Sequence, residues 1–279
     1  MADSIEQAVR RAITTMQENL GEQITVDDMA RSAMFSKFHF TRIFQRATGV
    51  SPGRFLSALR LQRAKDLLVS TSLNVADISM RVGYNSVGTF SSRFTRSVGM
   101  SPTTYRKLSG FAHQIPTDPR FGMAKAATAQ VYGSISLPPG EASGLVFAGL
   151  FPTRVPEGLP VRCSILHRPG LYEFDDVPPG TWYLLAQSVA GDIDEPGGAA
   201  DSPERLVSVA SHGPLTVHND GVIRADLRLQ PAQALDPPVL LALLDVRKLA
   251  LARTSGEETH AVPSFATRFT HAHAGRTAA

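Results

Sequence analysis

Ile5, Val9, Ile13, Met16 and Leu20 recur every three or four places, and Gly21 ends the run. That spacing predicts an amphipathic helix. Thr25 then stands three residues before Asp28, a capping-box-like start for a short second helix. Asn74 and Asp77 repeat this start 49 residues later, and Val26, Met29 and Ala33 return as Val75, Ile78 and Val82. Further on, Phe40, Phe44, Arg46, Gly49, Ser51, Pro52 and Phe55 return as Phe90, Phe94, Arg96, Gly99, Ser101, Pro102 and Tyr105, now 50 residues apart. The change of offset places one inserted residue in the second copy, near its turn at Gly83. Each copy reads as a capped helix, a tight turn and a second helix that stops at a glycine, after which Ser-Pro opens another helix. Between the copies, "SPGRFLSALRLQRAKDLLVS" is expected to be a long amphipathic helix joining them rigidly.

After Leu108 the helical period fails. Pro, Gly and Ala accumulate over residues 111–128, which reads as a linker. Beyond it the period moves towards two. "QVYGSISL", "GLVFAGLF", "LPVRCSIL", "TWYLLAQSVA", "PLTV" and "VIRADLRL" look like short strands separated by Pro and Gly clusters, which predicts an antiparallel β-sandwich. "DPPVLLALLDVRKLALAR" reads as a closing helix. The expected architecture is therefore an all-α N-terminal domain over residues 1–110, a β-sandwich with a terminal helix over 129–253, and a disordered tail over 254–279.

Charge sharpens this division. Net charge is +3, but residues 1–108 carry 15 Lys+Arg against 8 Asp+Glu, a balance of +7, while the rest carries 13 against 17, a balance of −4. A basic helical module suits a polyanion. The N-terminus has no basic start followed by an apolar core, no apolar run is long enough to span a bilayer, and one cysteine, Cys163, fits a reducing cytosol. The expectation is a cytoplasmic protein with no membrane partner.

Two helices joined by a tight turn make a helix-turn-helix, whose second helix can lie in the DNA major groove. At about 100° per residue, Phe40, Ile43, Phe44 and Ala47 share the inner side of the first such helix. Phe38, Thr41, Arg42 and Gln45 lie outside, with Lys37 at the flank. An arginine can pair bidentately with guanine, a glutamine with adenine, and an aromatic ring can pack on a thymine methyl or a sugar. In the second copy Phe90 and Phe94 hold the inside, while Gly88, Ser91, Ser92 and Thr95 face outward without charge. Arg46, Arg93 and Arg96 are off-axis, where long side chains reach phosphates. The expected reader is asymmetric: the first helix reads bases strongly, the second weakly or by shape. One chain with two such units can occupy successive major grooves about 34 Å apart without dimerising.

Residues 4–107, and above all "FSKFHFTRIFQRATGVSP" and "VADISMRVGYNSVGTFSSRFTRSVGMSPTTYR", resemble the AraC/XylS-type DNA-binding domain. The resemblance implies a bacterial transcription regulator acting at promoter DNA with RNA polymerase. It places Lys37, Phe38, Thr41 and Arg42 on the first recognition helix, and Ser86, Val87, Ser91 and Ser92 on the second. This chain departs from the family in two ways. The family commonly has arginine where Ser92 stands, and often puts the sensor before the DNA module.

In the second half, "GLYEFDDVPPGTWYLLAQS" resembles the turn of transthyretin-like or carboxypeptidase-regulatory-like sandwiches, which implies no catalysis. Pro178, Pro179 and Gly180 would make the turn, with Trp182 and Leu184 on one face and Tyr183 and Leu185 on the other. Cys163 and His167 are four residues apart on a strand, roughly 13 Å, too far for direct proton transfer. Two histidines, His271 and His273, make a poor metal site. The acidic stretch of Asp175, Asp176, Asp192, Asp194 and Glu195 reads as a solvated loop. No catalytic residue, metal or cofactor is assigned. The second half is expected to take a small-molecule effector, a protein partner or a second copy. Two rival functions remain: a non-specific architectural DNA binder, and a DNA-linked enzyme with its chemistry in the C-terminal half.

Overall fold

The computed structural model describes residues 2–110, 129–139, 144–155, 157–189 and 207–240. The helical half runs α1 (Ala2–Glu18), α2 (Val26–Ser32), α3 (Lys37–Thr48), α4 (Pro52–Ser70), α5 (Val75–Arg81), α6 (Val87–Val98) and α7 (Pro102–Lys107). The repeat seen in the residues is a repeat in packing. Phe40, Phe44 and Phe55 stack in a chain with centroid spacings of 5.4 Å, the second contact edge-on. Phe90, Phe94 and Tyr105 do the same at 5.6 Å. Each trio centres its own apolar core. Val9, Ile13, Met16 and Met29 complete the first, and Leu61, Leu68, Ile78 and Val82 the second.

Local chemistry starts and stops these helices. Thr25 Oγ1 accepts the Asp28 amide, and Asp28 Oδ2 returns to the Thr25 amide at 2.9 Å. In the second copy Asn74 accepts the Asp77 amide at 2.8 Å, and the return bond comes from the Asn74 side-chain amide instead. Gly49 and Gly99 end α3 and α6 with φ of +76° and +91°, where a side chain would be strained.

The joining helix differs from the expectation. Phe55, Leu56, Leu61 and Ala64 of α4 are all buried, yet fall on different sides at about 100° per residue. No single apolar stripe exists, because α4 leaves the first core and enters the second, and each core takes a different side of it. The inserted residue also gains an address. The turn bonds Phe35 N to Ala30 O and Tyr84 N to Ser79 O keep the offset of 49, whereas the N-caps Ser36 and Ser86 are 50 apart. The extra residue is thus Asn85.

The second half contains β1 (Ala129–Ser136), β2 (Val146–Phe151), β3 (Arg162–Leu166), β4 (Leu171–Val177), β5 (Gly180–Val189), β6 (Val207–Val217), β7 (Val222–Arg224), β8 (Leu227–Arg228) and β9 (Gln230–Pro231). One sheet has the order β3-β2-β5-β6-β9 and is antiparallel throughout. The other is mixed: β1 pairs antiparallel with β4 but parallel with β7 and β8. A purely antiparallel arrangement is therefore not what forms. The chain changes sheets after β6, so β7 and β8 arrive alongside β1 in its own direction. The expected single strand "VIRADLRL" is broken at Ala225–Asp226, where Asp226 Oδ1 accepts from the Ser134 amide at 2.9 Å and hydroxyl at 3.0 Å. Both sheets contribute to one core containing Val131, Phe174, Leu150, Leu184 and Trp182. Trp182 and Leu184 face this core and Leu185 the opposite side, as alternation requires. Gly180 makes the turn with φ +155°, and Trp182 Nε1 donates to Pro178 O at 2.8 Å.

The expected terminal helix does not begin at Asp236, since residues 236–240 have no helical turn; the remainder of it lies outside the described residues. The linker at 111–128, the tail at 254–279, Asp192, Asp194, Glu195, His271 and His273 also lie outside them.

Candidate nucleic-acid interface

α3 buries Phe40, Ile43 and Phe44 and turns its other side to water. On that side Lys37, Phe38, Arg42 and Gln45 are exposed and Thr41 is half-exposed. Phe38 is 84% exposed, a large cost-bearing position for a phenyl ring with no core role. Thr41 Oγ1 donates to Lys37 O at 2.8 Å, which holds its rotamer. Lys37 Nζ meets Asp27 Oδ2 at 2.9 Å in an exposed ion pair that a polyanion can displace. Arg42, Gln45 and Arg46 are exposed, and their side chains make no hydrogen bond or ion pair within the described residues.

α6 has the same construction with a different outer face. Ser86 is its N-cap and accepts the Thr89 amide at 3.4 Å, so this hydroxyl already has a local task. Val87 is 39% exposed, Ser92 and Thr95 are exposed, and Ser91 is half-exposed. Thr95 Oγ1 donates back to Ser91 O at 2.8 Å. The two off-axis arginines are not equivalent. Arg93 Nε donates to Ser57 Oγ on α4 at 3.1 Å, whereas Arg96 has no such partner within the described residues. The structure thus gathers the thirteen residues singled out from the sequence onto the outward sides of two helices and their starts.

It also shows contacts that patterning missed. Arg60 of α4 donates from Nε to Leu20 O at 3.0 Å and from Nη2 to Glu22 O, tying the end of α1 to the joining helix. Burial of this guanidinium pushes its pKa below the ordinary arginine value. Gln23 Nε2 donates to Gly83 O at 3.3 Å and to Asn85 Oδ1 at 3.1 Å, so the inserted Asn85 joins the two units. Gly83, at φ +82°, lies against Leu20 O and the Arg60 guanidinium, leaving no room for a Cβ. The first unit has Met34 at the equivalent turn, with φ +61°. A one-residue break in an otherwise regular offset was the only signal of this junction in the sequence.

The C-terminal half shows little nucleophilic chemistry. Cys163 is half-buried against Phe147, Phe151 and Leu185, and burial pushes its thiol up to about 11. It stays protonated near neutral pH and is a poor nucleophile. His167 is exposed. Among the described residues no cluster of His, Cys, Asp or Glu could hold a metal ion, and no helix is long and apolar enough to cross a membrane.

Residues 29–108 match the family model described as a helix-turn-helix domain. Over 104 residues the chain is 33% identical to the lactose operon transcription activator of Staphylococcus xylosus, covering 37% of each protein. Over 92 residues it is 34% identical to the melibiose operon regulatory protein of Escherichia coli, covering 33% of this chain and 30% of that one. A transcriptional activator of Providencia stuartii is 29% identical over 98 residues, 35% of this chain and 73% of its own length. The chain spans about a third of the length of most of the curated relatives it matches. The helical half is therefore similar to the helix-turn-helix part of transcription regulators, and the family match ends at residue 108.

Proposed function

We propose that this chain is a sequence-specific, DNA-binding transcription regulator of the AraC type that reads promoter DNA with two unequal recognition helices. The observation that carries this reading is the pair α3 and α6. Two copies of one capped unit each bury a phenylalanine pair and expose the opposite side of the second helix. The first exposes Arg42 and Gln45 without protein partners within the described residues; the second exposes Ser92 and Thr95. In this reading α3 reads base edges, α6 contributes shape and weak contacts, and Arg46, Arg93 and Arg96 reach phosphates. The protein acts in the cytoplasm, with RNA polymerase as the partner its promoter role requires.

The C-terminal half is read as a transthyretin-like sandwich with a regulatory rather than catalytic task. Its two sheets over a common core and its Pro178-Pro179-Gly180 turn support this. A cavity of about 410 Å³ between the five-stranded sheet and the end of α3, lined by Thr48, Phe147, Arg154, Gln187 and Arg228 among others, offers a place for an effector.

Site selection from random duplexes, followed by gel shift with Arg42→Ala, tests the reading. The variant should lose about 1–3 kcal/mol on the selected site and tolerate any base at one position, as expected for a lost bidentate contact. A loss equal on all sequences, with only the salt slope changed, would instead favour architectural DNA binding.

A further inference from the structure

The connection between β2 and β3, residues 152–155 and 157–159, crosses to the helical half and touches both helix-turn-helix units. Val155 is buried in the first unit's core. The Arg154 side chain covers Gly49, at the end of α3, so closely that a Cβ there would lie 2.7 Å from its Cδ. Glu157 then joins the units directly. Its Oε1 pairs with Arg54 Nη2 in the first turns of α4, and its Oε2 accepts from Ser97 Oγ, in the last turn of α6, at 3.2 Å. Gly158 N donates to Ser97 O at 2.8 Å, satisfying a carbonyl that the helix end would otherwise leave open. Leu159 lies 3.4 Å from where a Gly99 Cβ would be. One connection of the β half therefore spans the C-terminal ends of both recognition helices.

This matters because α4 alone is a weak ruler. A helix of its length, 19 residues, is about 28 Å long. A bend of ~10° at its near end moves the far end by ~5 Å. That exceeds the rise of one base pair, about 3.4 Å. Reading two grooves at one spacing needs further constraint: Gln23 and Asn85 give one at the start of α6, and Glu157 gives another by tying α4 to the end of α6.

We propose that this connection is a strap in which Glu157 acts as a positioning residue. It sets the spacing at which α3 and α6 are presented, so the β half determines half-site spacing while the helices determine base identity. The proposal rests on the DNA-reading function above, and its test separates the two.

The full chain and its Glu157→Ala and Glu157→Gln variants are measured on the selected site and on sites with one base pair inserted or removed between the halves. The unaltered chain should lose about tenfold or more per changed spacing. Glu157→Ala should shrink that penalty to about threefold or less, with the penalty for a base change under α3 unaltered. Glu157→Gln, whose single amide oxygen can still accept from Arg54 or from Ser97 but not from both, should lie between. A second readout needs no DNA: spin labels at His39→Cys and Thr89→Cys in a Cys163→Ser background report the distance between α3 and α6. The distribution should be narrow in the otherwise unaltered chain and broad with Glu157→Ala. An unchanged spacing penalty and an unchanged distribution in a folded Glu157→Ala protein would overturn the strap. Absence of any selected site for the unaltered chain would sink the DNA reading instead, and the label distances would still decide the strap.

Discussion

Thr25 and Asp28 close a reciprocal pair at the start of α2, and Arg31 adds a third contact to the carboxylate. The hydroxyl and amide of Thr25 together with the Arg31 guanidinium hold the Asp28 carboxyl below its ordinary value. Its folded form therefore binds fewer protons than the unfolded chain in the carboxylate range. Its contribution is present above the unfolded pKa and is lost as pH falls through the depressed folded value. Thr25→Ala should cost about 1 kcal/mol near neutral pH, and urea melts should show the gap between variant and parent narrowing in acid, while the part due to the amide cap remains. Cys163 carries the opposite sign. Its thiol is raised from 9.0 to about 11 by burial, so the folded state keeps a proton that the unfolded chain gives up between those values. Stability should fall as pH rises through that window. Maleimide labelling at mild pH should be slow in the native protein and fast after denaturation; fast native labelling would contradict the half-buried, protonated thiol.

The glycines of the helical half separate two kinds of demand that the letter alone does not distinguish. Gly99 ends α6 at φ +91°, while Gly53 sits in the first turn of α4 with nothing within 4 Å of a prospective Cβ. Gly53→Ala should stabilise by about 0.4–1 kcal/mol by restricting the unfolded chain, and Gly99→Ala should destabilise by at least as much. Thermal melts of the two variants should move in opposite directions. Legibility at this level was good where one residue type has one physical use. The capping positions, the phenylalanine pairs and the terminal glycines of α3 and α6 could all be read from the residues. It was poor for α4, whose apolar residues looked like one stripe but serve two cores on different sides. It was also poor for β7 and β8, whose parallel pairing with β1 depends on a change of sheet that no local pattern records.

The protein as a whole is less divided than its charge halves suggest. Leu240 of the C-terminal half is buried in the second helical core, and Lys65 of α4, itself buried, donates to Val239 O at 3.2 Å. Val155 enters the first core in the same way. Leu240→Ala should cost about 2–5 kcal/mol, and hydrogen exchange should show the loss in α5 and α6 rather than in the β-sheets. Protection unchanged in those helices would mean that the two halves are energetically separate.

The residues by themselves determined the repeated unit, its caps, its inner phenylalanines and the unequal outer faces of the two recognition helices. These depend on neighbours three or four places apart, and the 3.6-residue helical period turns such spacing directly into a face. Only the tertiary structure decided that Asn85 joins the units to Gln23, that Arg60 holds the end of α1, and that Glu157 ties Arg54 to Ser97. Those partners lie between 38 and 103 positions apart. A contact at such separation is chosen by which surfaces the packed cores bring together, and one chain read in order carries no period that encodes it.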